Sequence, residues 1–275
     1  MFDYTKALAL ARTVDDVWDL HCQTMAGFGF DRVIYGMTRA TGANGALGAF
    51  EDALVLSNHG QSYDQAYIGS QMFLEAPGFR WAQENAGAIG WGALWTDSRA
   101  LTARDREIIA FHRAREVCAG YTVSITQNSA RTFAVVSLTA RTDLSQAEVD
   151  RLWAAEGCRI WTMNNLMHLK ILSLPHRGTR HLLSSRQREA LEWVGDGKSY
   201  QDIGEIMGVS MATVEKHLRL AREKLHVSTT SQAVLKAAFQ NQLYTAGDTG
   251  LSFSNQRQNP LAAPCGTFSG SVTKM

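Results

Sequence analysis

Apolar residues recur at helical spacing from Tyr4 to Met25 (Leu8, Ala11, Val14, Trp18, His21, Met25), which predicts one amphipathic helix. Alternation then takes over. Arg32 to Thr38 (RVIYGMT) and Ala53 to Ser57 (ALVLS) read as strands on either side of the glycine-rich TGANGALG. Gln61 to Phe73 and Thr102 to Val117 return to helical spacing. Tyr121 to Gln127 and Thr132 to Thr139 alternate across the polar NSAR, the pattern of a β-hairpin. Ser145 and Glu148 form the S-x-x-E of a capping box, and the line Val149, Leu152, Trp153, Ile160, Met163, Met167, Ile171 extends a helix for several turns. Such an apolar helix packs on the sheet, on a partner subunit, or on both.

SLPHRGTRH breaks the pattern and reads as a linker. A helical block follows. Ser184 or Ser185 caps a first helix to about Val194, with Leu183, Ala190, Leu191 and Val194 facing inward and Gly195 and Gly197 ending it. Ser199 caps a second helix, YQDIGEIM, that buries Ile203 and either Ile206 or Met207. Gly208 then makes a turn, Val209 plugs the core and Ser210 caps a third helix, Met211 to Leu225. Val214, Leu218, Ala221 and Leu225 fix its buried face, so Glu215, Lys216 and Arg219 face outward, flanked by Thr213 and His217. A helix held this way offers its N-terminal half to a DNA major groove. Arg219 suits a guanine edge, Lys216 a base or phosphate, and Glu215 cytosine N4; Thr213 and His217 suit phosphate oxygens.

Composition changes this picture little. Apolar residues make up 45% and charged residues 19% of 275 residues, an ordinary soluble composition. The net charge of +1 supplies no global basic field, and Leu183 to Gln240 holds eight Lys and Arg against seven Asp and Glu. Bulk charge therefore leaves room for a helical protein-interaction bundle, against which the succession of turns, caps and buried faces argues. Cys22, Cys118, Cys158 and Cys265 lack zinc spacing and read as reduced thiols. The N-terminus lacks the apolar core of a signal peptide, and no stretch approaches a membrane span, so a cytoplasmic protein without membrane association is expected. Eight histidines form no HExxH, and no nucleophile elbow or phosphate loop occurs, which disfavours an enzyme with an appended domain. No catalytic residue, metal site or cofactor is assigned.

The stretch from Leu183 to Val234 resembles the C-terminal helix-turn-helix of LuxR-type regulators. Its pattern is matched by Leu183, Arg186, Glu189, Leu191, Gly197, Lys198, Ile203, Val209, Ser210, Thr213, Val214, His217, Lys224, Leu225, Gln232 and Ala233. Ser185 stands where Pro is usual, and Thr230 where an Arg is usual, which removes one phosphate contact. A phosphorylated receiver is disfavoured upstream, because Asp15 and Asp16 lie inside a helical pattern. The region from Ala53 to Thr139 is instead similar to the acyl-homoserine-lactone-binding domain of quorum-sensing LuxR regulators. The family's Tyr-Pro-x-x-Trp-x-x-x-Tyr run, its Asp-Pro and a later Trp fall on His59, Gly60, Tyr63, Tyr67, Ala76, Pro77 and Trp91, and a family Gly on Gly120.

That resemblance implies an α+β N-terminal domain, an α-β-α sandwich around an antiparallel sheet, followed by an all-α four-helix DNA-binding domain. The expected divisions are 1–173 for sensing and dimerisation, 174–182 for the linker, 183–242 for DNA binding and 243–275 for a disordered tail. It also implies a homodimer on a double-stranded DNA operator, joined through the helix around Val149 to Ile171, and RNA polymerase as a further partner. By the same resemblance Tyr63 stands for a Trp that donates to the lactone carbonyl, and His59 for a Tyr that bonds the acyl carbonyl. Ala76 stands for the Asp that accepts the ligand amide N–H, and it can accept nothing. Glu75 is adjacent but is expected to point elsewhere. Two signals stay open: an acylated lactone held by an altered polar set, or another aromatic or apolar small molecule, or none. The aromatic set Tyr63, Tyr67, Phe73, Trp81, Trp91 and Trp95 suits an apolar pocket, or else fills a core.

Overall fold

A computed structural model describes residues 2–38, 53–95, 101–125, 132–174 and 183–244. The NSAR turn, the TGANGALG loop, most of the linker and the expected disordered tail from Thr245 onward lie outside the described residues. The first two residues of that expected tail are described: Leu243 is buried in the C-terminal core, and the Tyr244 N–H donates to Glu192. The first surprise is local. The region expected as one helix is two, α1 (Phe2–Leu10) and α2 (Val14–Gly27). Thr13 accepts the Asp16 N–H and Asp16 returns the bond, so a capping box restarts the chain in a new direction.

Five strands form one antiparallel sheet: β1 (Phe30–Thr38), β2 (Leu54–Ser57), β3 (Gly87–Gly90), β4 (Gly120–Ser124) and β5 (Phe133–Ala140), in the order β2-β1-β5-β4-β3. The hairpin expected between the last two is present as an antiparallel pair. Side chains alternate across the sheet, as the period of two requires. Val33, Tyr35 and Met37 of β1, Val123 of β4, and Ala134, Val136 and Leu138 of β5 face a core shared with α2 and with α7 (Gln146–Ser173). From α7 that core receives Val149, Ile160, Met163, Met167 and Ile171, the line read from the sequence. Fully burying each such side chain is worth about 1.5–3 kcal/mol.

The opposite face carries shorter pieces. The stretch expected as a helix from Gln61 to Phe73 is broken into α3 (Gln61–Asp64), a π turn over Gln65–Gly69 and a 3-10 turn over Met72–Glu75, with Gln71 left-handed at φ 61°. α4 (Pro77–Glu84), β3 and α5 (Trp91–Trp95) follow, none of them foreseen, and α6 (Ala103–Arg113) completes the layer. Helices therefore lie on both faces of the sheet, the α-β-α sandwich expected.

The C-terminal block has its own core. α8 (Ser185–Gly195), α9 (Tyr200–Met207), α10 (Met211–Lys224) and α11 (Thr230–Phe239) are each started by a Ser or Thr whose hydroxyl accepts from the third residue on: Ser184, Ser199, Ser210 and Thr229. Of the two alternatives in α9, Met207 is buried and Ile206 is exposed. No described helix is long and apolar enough to cross a membrane.

Candidate ligand cavity and nucleic-acid interface

The sheet face turned away from α7 is the floor of a cavity. Strand register sets its chemistry. Gly36 lies between Val55 and Val135, and its missing side chain keeps the floor low. One step along, Ser137 lies between Ile34 and Thr122, so two hydroxyl side chains stand opposite each other on neighbouring strands. The walls come from Tyr63, Tyr67, Phe73, Phe79, Trp91 and Trp95, with Ala76, Pro77, Gly78 and His112. The cavity measures about 80 Å³ and shares Gly36, Val55, Phe73 and Phe79 with a neighbour of about 280 Å³.

Two glycines make this packing possible. A Cβ at Gly120 would fall 2.2 Å from the Leu138 carbonyl oxygen and 2.9 Å from the Trp91 ring, and one at Gly78 would fall 2.6 Å from Thr122 Oγ1. Trp91 is thereby seated against the floor, where its Nε1–H donates to Thr122 Oγ1 at 3.0 Å. Trp95 stacks on Trp91 at 5.1 Å, and its ring lies within 11° of the His112 plane.

His112 and Tyr63 form the polar centre of the wall. His112 Nδ1 and Tyr63 Oη are 3.0 Å apart and share one hydrogen. Burial, and then the positive charge of Arg115, lower the His112 pKa to about 4, so the ring is neutral at pH 7. Burial likewise pushes the hydroxyls of Tyr63 and Tyr67 well above the usual tyrosine range.

Tyr63, Tyr67, Ala76, Pro77 and Trp91 all line the cavity, whereas His59 does not. His59 stacks against Tyr63 at 4.3 Å, and its Nε2 lies 3.4 Å from Thr139 Oγ1. It supports the wall from outside, and Tyr63 Oη is already engaged by His112. Glu75 points outward, as expected, and pairs with Arg104. Trp81 lies off the lining as well, and Phe79 takes its place. His112, Thr122 and Ser137 were not foreseen. Their signals were a histidine four residues after Ile108 on a helix and single hydroxyls at inward positions of apolar strands.

In the C-terminal block Val214, Leu218 and Ala221 are fully buried and Leu225 nearly so. Glu215, Lys216 and Arg219 are exposed, with Thr213 and His217 half-buried beside them. Gly208, left-handed at φ 67°, turns the chain between α9 and α10. Ser210 Oγ accepts the Thr213 N–H and lies 2.9 Å from its hydroxyl. Arg219 donates to Glu223 at 2.5 Å, one turn on. An exposed pair of this kind is worth about 0–1 kcal/mol, less than one buried leucine, so the apolar face orients the helix and the pair can be exchanged for another anion. Thr230 accepts from Arg222 Nη1 at 2.8 Å.

Residues 181–237 match the family model described as bacterial regulatory proteins, luxR family, and residues 13–171 match the autoinducer binding domain. The chain belongs to the LuxR-type regulators. It pairs an autoinducer-binding domain with a DNA-binding helix-turn-helix, the architecture of a ligand-responsive transcription regulator. Relatives of this LuxR-type chain include the transcriptional activator AnoR of Acinetobacter nosocomialis, 22% identical over 86% of this chain and 95% of that protein. The activator SolR of Ralstonia solanacearum is 26% identical over 86% of this chain and 96% of its own length. SdiA of Escherichia coli shares the fold, with a TM-score of 0.51 at 14% identity over 89% of this chain and 99% of that one.

Proposed function

We propose that this LuxR-type regulator binds an operator as a homodimer, reads bases through α10, and takes its signal as a small molecule in the cavity under Trp91 and Tyr67. One observation carries the output half: the fully buried line of Val214, Leu218 and Ala221 leaves Glu215, Lys216 and Arg219 together on the exposed face. Arg219 reads a guanine edge, Lys216 and Glu215 reach neighbouring bases or phosphate, and Thr213 and His217 hold the backbone. Two such helices meet successive major-groove faces when two copies associate, with α7 as the joining helix and RNA polymerase as a downstream partner. The near-neutral charge of the module makes single-copy, non-specific binding weak, which favours a dimer. The output is binding, with no cofactor and no turnover. The signal is an acylated lactone or another apolar or aromatic small molecule.

Selection of a duplex from a random pool by the full-length protein tests the output. Arg219→Ala is expected to weaken binding to the selected duplex by about 1–3 kcal/mol and to relax preference at one base pair per half-site. An unchanged binding profile with an intact fold removes Arg219 from base reading. Sedimentation of the complex reports whether two copies bind.

A further inference from the structure

The outward face of α10 has two flanks. Thr213 and His217 form one, and Arg222, half-buried like them, stands on the other. Arg222 follows Glu215 by about two helical turns, so it keeps to the Glu215 side of the face, about 10 Å nearer the C-terminal end. Thr213 and His217 lie almost half a turn away around the axis.

The guanidinium on this flank is held in place. Arg222 Nη1 donates to Thr230 Oγ1 at 2.8 Å, and Tyr200 Oη lies 3.4 Å from the same oxygen. Tyr200 is the first residue of α9 and Thr230 the first of α11, so three helices bring one guanidinium and two hydroxyls together. Holding a long side chain this way fixes its rotamer before any ligand arrives. Thr230 and Tyr200 are neutral. The carboxylates that follow Arg222 and Tyr200 in the chain are engaged elsewhere, Glu223 with Arg219 and Asp202 with Ser199. Guanidinium and hydroxyl groups hold phosphate oxygens, and a guanidinium can give two parallel bonds to one phosphate. A helix that enters a groove about 12 Å wide by its N-terminal half brings its C-terminal half to the groove's edge, where the backbone is in reach.

We propose that Arg222, seated by Thr230 and Tyr200, binds a backbone phosphate of the operator on the Glu215 side of the groove, across from the strand met by Thr213 and His217. The inference rests on reading α10 as the helix that enters the groove. It gives the module a grip on both strands, which fixes its register while Arg219 reads a base.

The test uses the full-length protein and the duplex it selects from a random pool. Arg222→Gln is expected to weaken the selected duplex and a scrambled one by the same factor, several-fold. The slope of log affinity against log salt is expected to fall by about one for each bound copy. Arg222→Lys, which keeps the charge, is expected to restore that slope. Replacing single phosphates by uncharged methylphosphonate locates the contact. One linkage per half-site is expected to cost the unaltered protein several-fold and Arg222→Gln nothing further. If Arg222→Gln lowers the thermal midpoint, Arg222→Lys carries the same scan, with a smaller loss expected at that linkage. An unchanged salt slope in a folded Arg222→Gln protein overturns the proposal. So does weaker binding with every linkage still costing its full amount, since that marks a brace between α10 and α11. A loss confined to one base pair overturns it as well, by making Arg222 a base reader. A selection that enriches no duplex removes the regulator reading and this inference with it, whereas an enriched duplex that Arg222→Gln binds like the unaltered protein removes this inference alone.

Discussion

Three buried histidines, His21, His59 and His112, are kept neutral by their surroundings. His21 Nδ1 lies 2.9 Å from the Tyr4 hydroxyl and its Nε2 lies 3.2 Å from Asn164 Oδ1, inside the core between α1, α2 and α7. Burial lowers its pKa to about 4; burial with Arg32 and His112 nearby lowers that of His59 to about 3; His112 is at about 4. The sign of the linkage follows. Above the unfolded value of about 6.5 both states are neutral, and stability is complete. As pH falls through 6.5 towards 4 the unfolded chain gains protons that the folded chain refuses, so stability is lost. The expected loss is on the order of a few kcal/mol by pH 4, beginning above the range in which the depressed carboxylates Asp16, Asp105, Glu148 and Asp202 contribute. Urea midpoints at pH 7.5, 6 and 5 measure it. A midpoint constant from pH 7.5 to 5 contradicts neutral burial.

At the scale of elements, short polar caps decide where helices begin, and apolar faces decide how they lie. Ser199 Oγ accepts the Asp202 N–H at 3.2 Å, and Asp202 Oδ2 accepts the Ser199 N–H at 3.1 Å. Ser199→Ala is expected to cost about 0.5–2 kcal/mol in the helix-turn-helix. Thermal unfolding checks it, and an unaltered midpoint argues against the cap. The same rule explains why one long amphipathic pattern became α1 and α2. The hydrophobic spacing was continuous across Thr13, but a capping box lay inside it. The break-up of residues 61–75 has a different origin. Its π turn falls where Tyr63 and Tyr67 both turn towards the cavity, and Gly69 and the left-handed Gln71 end it.

On the scale of the whole molecule, the sensor and DNA-binding cores meet at Asn241. Its Nδ2 donates to the Leu172 and Leu174 carbonyl oxygens at 2.7 and 2.8 Å, at the C-terminal end of α7 where the last carbonyls have no partner within the helix. Asn241 itself is left-handed at φ 50°, a conformation asparagine tolerates. Asn241→Ala is expected to leave both cores folded and to speed amide exchange at residues 172–174 and 241–243 by up to about tenfold, the loss of one or two modest hydrogen bonds. Exchange rates equal to the unaltered protein's would show that this contact does not hold the cores together.

Some of this was determined by sequence alone. The buried line of α10, its outward Glu215, Lys216 and Arg219, the Ser caps and the family were legible because helical spacing and cap chemistry are local, acting within four residues. The sensing half was legible as strands and helices and as an aromatic set with Ala76 at a telling position. Its polar centre was not. Thr122 and Ser137 became neighbours only through the β4–β5 register, and His112 met Tyr63 only when α6 folded over α3. His59 is the converse case: its spacing pointed into the site, while packing set it behind Tyr63. Contacts between residues far apart in sequence depend on register and layer packing, which no local pattern encodes, and they decided which side chains line the cavity.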